Sequence, residues 1–188
     1  MKYYSGVGSR NTPTKIMGMM TALASKLASE GWTLRSGAAQ GADSAFEEGV
    51  MHYFETNGDA YPAPASMANI YIPWRGFVEI NADYKDWYKV LSDQNNKLEA
   101  EKIAASIHPA WERCSRGAKA LHTRNVYQVL GQNLNAPSSF LVCWAETGKD
   151  GKPNGGTRTA WVLAEKYGVK CFNLFIEADR KRIEDWIK

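Results

Sequence analysis

Tyr4-Ser5-Gly6-Val7-Gly8-Ser9-Arg10 and Leu34-Arg35-Ser36-Gly37-Ala38-Ala39-Gln40-Gly41-Ala42-Asp43 are two glycine-rich turns near the start of the chain. Each follows a short apolar run and precedes a helical pattern. Strand, glycine turn, helix is the layout that leaves backbone N–H groups and the positive end of a helix free to hold a phosphate. A third turn, Asn154-Gly155-Gly156-Thr157-Arg158, follows the apolar run Phe140-Leu141-Val142-Cys143-Trp144 after a polar loop. One such turn is weak evidence of a ligand. Three in one chain point to a nucleotide-type site assembled from several loops.

Outward from these turns, the apolar spacing predicts five strands, at residues 2–6, 32–36, 69–73, 139–144 and 169–174. Between them lie helical patterns. Thr12-Pro13-Thr14 opens the first, with a hydroxyl cap and a proline in the first turn, and Gly31 closes it. Others cover residues 43–55, 95–107, 118–130, 157–167 and 178–187, with a short helix expected at 83–91. Strands alternating with helices predict an α/β fold: one Rossmann-like domain over residues 1–188, with a mainly parallel sheet flanked by helices. Ligands of such sheets lie beyond the carboxyl ends of the strands, at the switch point. The first and fourth of the five strands are expected side by side there, with all three glycine turns at that edge.

The chain has 188 residues and a net charge of +3, with 44% hydrophobic and 23% charged residues. The charge permits a polyanionic partner without arguing for one. No apolar run is long enough to span a membrane, and residues 1–5 lack a signal-peptide core. Cys114, Cys143 and Cys171 form no CxxC or Cys/His pattern. No metal and no tightly held redox cofactor is therefore expected, and a reducing cytoplasm fits best. Seven tryptophans leave some available to stack on a base, Trp144 or Trp74 among them.

The candidate ligand residues follow from the turns. Gly6 and Gly8 allow close backbone approach, and Ser9 and Arg10 add donors. The spacing is not the dinucleotide pattern GxGxxG, because Asn11 stands where its third glycine belongs. The lysine of a Walker loop is also missing. Ser36, Gly37, Ala38 and Gly41 mark a second close approach, by a ligand or by a neighbouring loop. Asp43 caps the following helix or touches the ligand. With Glu47 one turn on, it forms a carboxylate pair, either a solvated helix face or an acid and base. Arg124 offers a fork for phosphate, and His122 an imidazole near neutrality. Trp144 and Glu146 follow the fourth expected strand, where ligand residues gather. Gly155, Gly156 and Thr157 open a helix as a phosphate cradle, and Arg158 adds charge. Lys149 and Lys152 lie in a loop expected to be flexible.

Taken together, GVGSR at Gly6 to Arg10, SGAAQGAD at Ser36 to Asp43, HTRNVYQVLG at His122 to Gly131, and LVCWAETGK with GGTRTAWVLAEKYGVKCFNL resemble the SMF/LOG (SLOG) superfamily. That group includes DNA-processing protein A (DprA/Smf), the Lonely Guy phosphoribohydrolases and ligand-sensing domains of bacterial immune systems. The chain looks most like the small DprA-like Rossmann proteins that phages encode. The resemblance implies a nucleotide or nucleotide-derived ligand at the glycine turns. That ligand could be a signalling nucleotide sequestered from a host defence pathway, in the host cytoplasm. The alternative it implies is single-stranded DNA binding in DNA processing or recombination, for which Arg10, Arg35, Arg124, Arg158 and the basic loop at Lys149 and Lys152 would meet phosphates. A third implication is N-glycosidic hydrolysis or transfer. Against the last, Pro153-Asn154-Gly155-Gly156-Thr157-Arg158-Thr159-Ala160 lacks the glutamate that Lonely Guy enzymes carry after the threonine. Asp43, Glu47 or Glu146 would have to substitute. Binding without turnover is the expectation, with no membrane partner and room for a homo-oligomer.

Overall fold

The computed structural model describes residues 1–58 and 63–188. The strands are β1 (Lys2–Gly8), β2 (Trp32–Ser36), β3 (Ala68–Ile72), β4 (Tyr88–Val90), β5 (Phe140–Trp144) and β6 (Lys170–Asn173). The helices are α1 (Thr14–Ser29), α2 (Ala42–Asn57), α3 (Lys97–Ile107), α4 (Arg116–Leu130), α5 (Thr157–Lys166) and α6 (Glu177–Ile187). All strand pairs are parallel, in the order β4-β3-β2-β1-β5-β6. The chain builds outward from β1 to β4, then returns to add β5 and β6 on the other side of β1. The order therefore reverses between β1 and β5, which lie side by side with Gly8 opposite Trp144. The Rossmann-like layout and the adjacency read from the sequence are both present.

Both faces of the sheet are covered, which is why β5 is apolar throughout. Phe140, Val142 and Trp144 face a core shared with α1, α2 and α6. Leu141 and Cys143 face the opposite core, built with α3, α4 and α5. Side chains alternate along a strand, so five consecutive apolar residues feed two cores. On the first face α2 rests directly on β1. A Cβ at Gly6 would lie 2.6 Å from the Phe46 ring. Any larger residue there overfills the core, at about 1–3 kcal/mol.

Two expectations need correction. There are six strands among the described residues, not five. The short helix expected at 83–91 is a 3₁₀ turn (Ala82–Trp87) running into β4, whose Tyr88, Lys89 and Val90 pair with Ile70, Tyr71 and Ile72. Buried Tyr84 and Trp87 anchor that turn against the first core, and three residues are too short a strand to show alternation. Thr12 does not cap α1. Its hydroxyl donates to the Ser9 carbonyl at 2.7 Å, and Pro13 is the residue before the first helical turn. That bond ties the loop after β1 to itself, ahead of the helix.

Candidate functional site

A cavity of about 650 Å³ opens at the carboxyl ends of β1 and β5, where the strand order reverses. Three loops, one helix face and Phe77 from the segment after β3 surround it. Gly8, Ser9, Arg10 and Asn11 come from the loop after β1. Ala39 and Asp43 come from the loop after β2 and the first turn of α2. Trp144, Ala145, Glu146 and the turn Asn154 to Thr157 come from the segment after β5. The fourth wall is α4, through Leu121, His122, Arg124, Asn125 and Gln128.

The floor is charged and buried. The Arg124 guanidinium lies 3.7 Å from the Asp43 carboxylate, and their side chains are only 9% and 3% exposed. Arg124 also donates to the Gly37 carbonyl at 2.8 Å and to Asn125 Oδ1 at 3.2 Å. Burial pushes the Asp43 carboxyl up to about 6, against the pull of Arg124 and of backbone hydrogen bonds from Ala39 and Gly8. Beyond the Arg124 ion pair and the Gln128 amide that pulls on the Asp43 carboxyl, Nε of Arg124 and Oε1 of Gln128 have no hydrogen-bond partner within the protein. Each such atom costs about 1–3 kcal/mol when left unsatisfied.

The rim after β5 differs in kind. Asn173, fully buried, holds the strand exit by donating to the Ala145 carbonyl at 2.8 Å and accepting from its N–H at 3.1 Å. Residues 146–154 then fold back as a bridged hairpin, with Thr147 paired to Pro153. Arg158 closes it by a 2.5 Å ion pair to Asp150, which holds that exposed carboxyl down at about 2. Lys152 pairs with Glu165 at 2.5 Å. This loop is cross-braced where the sequence suggested a flexible one. It delivers Gly156 to the start of α5, where no side chain caps the helix. The Asn125 amide donates to the Gly156 carbonyl at 2.9 Å and pins the turn to α4. Among the first N–H groups of α5, that of Arg158 donates to the Gly155 carbonyl at 3.2 Å, and no side chain caps the others.

The expected residues therefore divide. Gly8, Ser9, Arg10, Asp43, Arg124, Trp144, Glu146, Gly155, Gly156 and Thr157 line the cavity. Gly6, Ser36, Gly37, Ala38, Gly41, Glu47 and Arg158 lie outside its lining. At Gly37 a Cβ would lie 2.5 Å from Arg124 Cζ, and at Gly41 it would lie 2.6 Å from the Ser9 carbonyl oxygen. The close approach in that turn is made by the protein's own parts. Gly41 and Ala38 have φ of +87° and +57°, the left-handed turn that bends the chain around Arg124. The Ser36 hydroxyl donates to the Gly6 carbonyl at 2.7 Å. Glu47 is buried, not solvated, and accepts from the Tyr88 hydroxyl. Burial raises its carboxyl, and the Asp43 charge adds to this. Asp43 caps nothing in α2. Trp74 is 42% exposed and lines a separate cleft.

Gln128, Asn125 and Phe77 line the cavity without having been singled out in the sequence. The signal for the first two was there. Leu121, Arg124, Asn125 and Gln128 follow i, i+3, i+4, i+7, the spacing of a buried helix face. Polar residues in that register must be answered by other polar groups. His122 is on the same side of α4, with Nδ1 2.9 Å from the Thr159 hydroxyl. Burial, then His108 and Arg124, push it down to about 4, so it is neutral at pH 7.

Among the described residues no helix is long and apolar enough to cross a membrane. No family model matches the chain, and no curated protein matches it either. Solved structures with a related course of chain include the molybdenum cofactor carrier protein from Chlamydomonas reinhardtii. It is 16% identical, over 92% of this chain and 76% of that one, with a TM-score of 0.47. They also include DNA processing protein A from Helicobacter pylori, described as binding single-stranded DNA. That protein is 13% identical, over 99% of this chain and 78% of that one, with a TM-score of 0.41. At such identity and overlap neither likeness says what this chain binds.

Proposed function

We propose that the cavity binds a phosphorylated nucleotide or nucleotide-derived ligand. The observation that carries this is the polar, charged floor of the cavity beneath the glycine turn that opens α5. Asp43, ion-paired with Arg124 and pulled on by the Gln128 amide, lies with Gln128 at the bottom of an open cavity, below a helix start that no side chain caps. A carboxylate beside a carboxamide offers acceptors and donors to the vicinal hydroxyls of a ribose. The glycine turn before α5 offers backbone N–H groups and a helix dipole to a phosphate. Arg10, exposed at the facing loop, adds a positive charge. Trp144 and Phe77 give apolar surface for a base. The volume falls within the roughly 300–1,000 Å³ usual for small-molecule sites.

Two of the cations expected for single-stranded DNA point inward instead. Arg35 is 3% exposed and donates to the Ala136 carbonyl at 2.6 Å, while Arg124 belongs to the floor. The nucleotide reading uses a polar cavity of small-molecule size, which a surface-tracking strand does not need. Sequestration of a signalling nucleotide in a host cytoplasm, as the family resemblance suggests, is one use of such a site. Native mass spectrometry of the protein purified from cells tests the reading. A retained mass matching a phosphorylated nucleotide, lost in Asp43→Asn, supports it. Elution free of any nucleotide, with no binding when a panel of nucleotides is added back, refutes it.

A further inference from the structure

His108, Cys114 and His122 bring one ligand atom each to within 4.8 Å of one another, the only such His, Cys or acidic trio among the described residues. The sequence shows no metal spacing because three elements supply the donors. His108 ends α3, Cys114 ends the 3₁₀ turn Trp111–Arg113, and His122 lies in α4. The Cys114 sulfur is 3.7 Å from His108 Nδ1, and the two imidazoles stand 4.3 Å apart between ring centres. Zn–N and Zn–S bonds of about 2.0–2.1 and 2.3 Å at a tetrahedral angle place donors roughly 3.4–3.6 Å from each other. Small side-chain rotations span the difference.

We infer that His108, Cys114 and His122 form a zinc site with three protein ligands and an open fourth position. The donor set suits a borderline-soft divalent ion, since thiolate and imidazole together favour Zn(II) over Mg(II) or Ca(II). The protonation pattern is compatible. His108 Nδ1 accepts from the Ala110 N–H at 3.2 Å, so that nitrogen carries the lone pair and exchanges a long hydrogen bond for the metal. His122 holds Thr159 through Nδ1, which leaves Nε2 for the ion and makes Thr159 the outer partner that fixes the ring. Binding displaces the thiol proton of Cys114 to solvent, and the sulfur–metal bond replaces the S–H bond. Access exists. A cleft of about 390 Å³ is lined by His108 and His122 together with Gly155, Gly156 and Thr159, while Cys114 lines a separate cleft with Trp74, so the trio is approached from two sides. The fourth ligand would be a water or an anionic group reaching the same glycine turn from its other side.

The test is titration of the metal-free protein with Zn(II) against a chromophoric chelator, and separately with Co(II). One equivalent should bind in competition with the chelator. Co(II) should give a thiolate-to-metal charge-transfer band and the intense visible bands of a four-coordinate ion. Cys114→Ser should remove the charge-transfer band and weaken Zn(II) by more than the roughly 10–100-fold typical of losing an outer partner, with Thr159→Val inside that range. In the wild-type chain, Zn(II) should shield Cys114 from alkylation while leaving the rate at Cys171 unchanged. Failure to compete with the chelator, or no thiolate band with Co(II), overturns the proposal. So does equal shielding of both cysteines. Nucleotide binding can succeed or fail independently of these outcomes.

Discussion

The turn after β2 and the turn before α5 read alike in the sequence, two glycines at the mouth of a helix, yet they do opposite things. In the first, every close approach is already occupied. Arg124 fills the space over Gly37, and the loop after β1 fills the space beside Gly41. In the second, a Cβ at Gly155 or Gly156 would meet nothing within 4 Å. A glycine shows only that something comes near. The contacts decide whether that something is the protein or a visitor. Here the filled turn supplies a rigid charged floor, and the open turn supplies a rim.

The strongest way to break this contrast is Arg124→Leu. It removes the filler of the first turn and leaves Asp43 buried without its cation. Losing one partner of a buried pair costs about 3–5 kcal/mol, so urea unfolding at pH 7 should show a loss of that order. A loss under about 1 kcal/mol would mean that the floor does not depend on the pair. Next comes Gly37→Val, whose side chain must displace Arg124. A loss of about 1–3 kcal/mol or more is expected. Gly156→Val should stay within about 0.5 kcal/mol, because it points to open space with an ordinary helical φ of −62°. Equal losses at the two glycines would erase the distinction.

The pH dependence sharpens the same point. Burial holds the Asp43 carboxyl at about 6 in the folded protein, above the ordinary carboxylate value of 3.8 that it regains on unfolding. Between those values the folded state binds more protons, so this group's contribution is full below the unfolded value and fades as pH rises through 6. Unfolding midpoints measured from pH 4 to 7 should therefore decline less steeply with rising pH in Asp43→Asn than in the wild type. Parallel profiles would show that Asp43 is not held in a desolvated floor. The smallest effect belongs to Arg158→Ala. Its partner Asp150 is exposed, so stability should change by less than about 1 kcal/mol in thermal or urea unfolding.

Much of the fold was legible because it rests on local patterns. The strand-turn-helix units at Gly8, Gly41 and Gly156 and the apolar run 140–144 sufficed to predict an α/β sheet with the first strand beside the one ending at Trp144. β4 was not legible, since three half-buried residues carry no period and only pairing to Ile70–Ile72 makes them a strand. At the site, the open turn could be read from its two glycines and hydroxyl. The role of Arg124 could not, because its partners, Gly37 and Asp43, are remote in sequence. His108, Cys114 and His122 were hidden for the same reason: the ends of two elements and the face of a third bring them together.

Isothermal titration calorimetry with paired nucleosides and nucleoside phosphates tests the central claim most directly, using the wild type, Gln128→Leu and Gly156→Val. At least one phosphorylated nucleotide should bind the wild type with a micromolar or lower Kd, and its unphosphorylated nucleoside much more weakly. Gly156→Val should erase most of that phosphate advantage, and Gln128→Leu should weaken nucleoside and nucleotide alike. A panel that shows no binding to the wild type, or a nucleotide held equally well by all three proteins, would contradict a ligand gripped between the buried floor and the open turn.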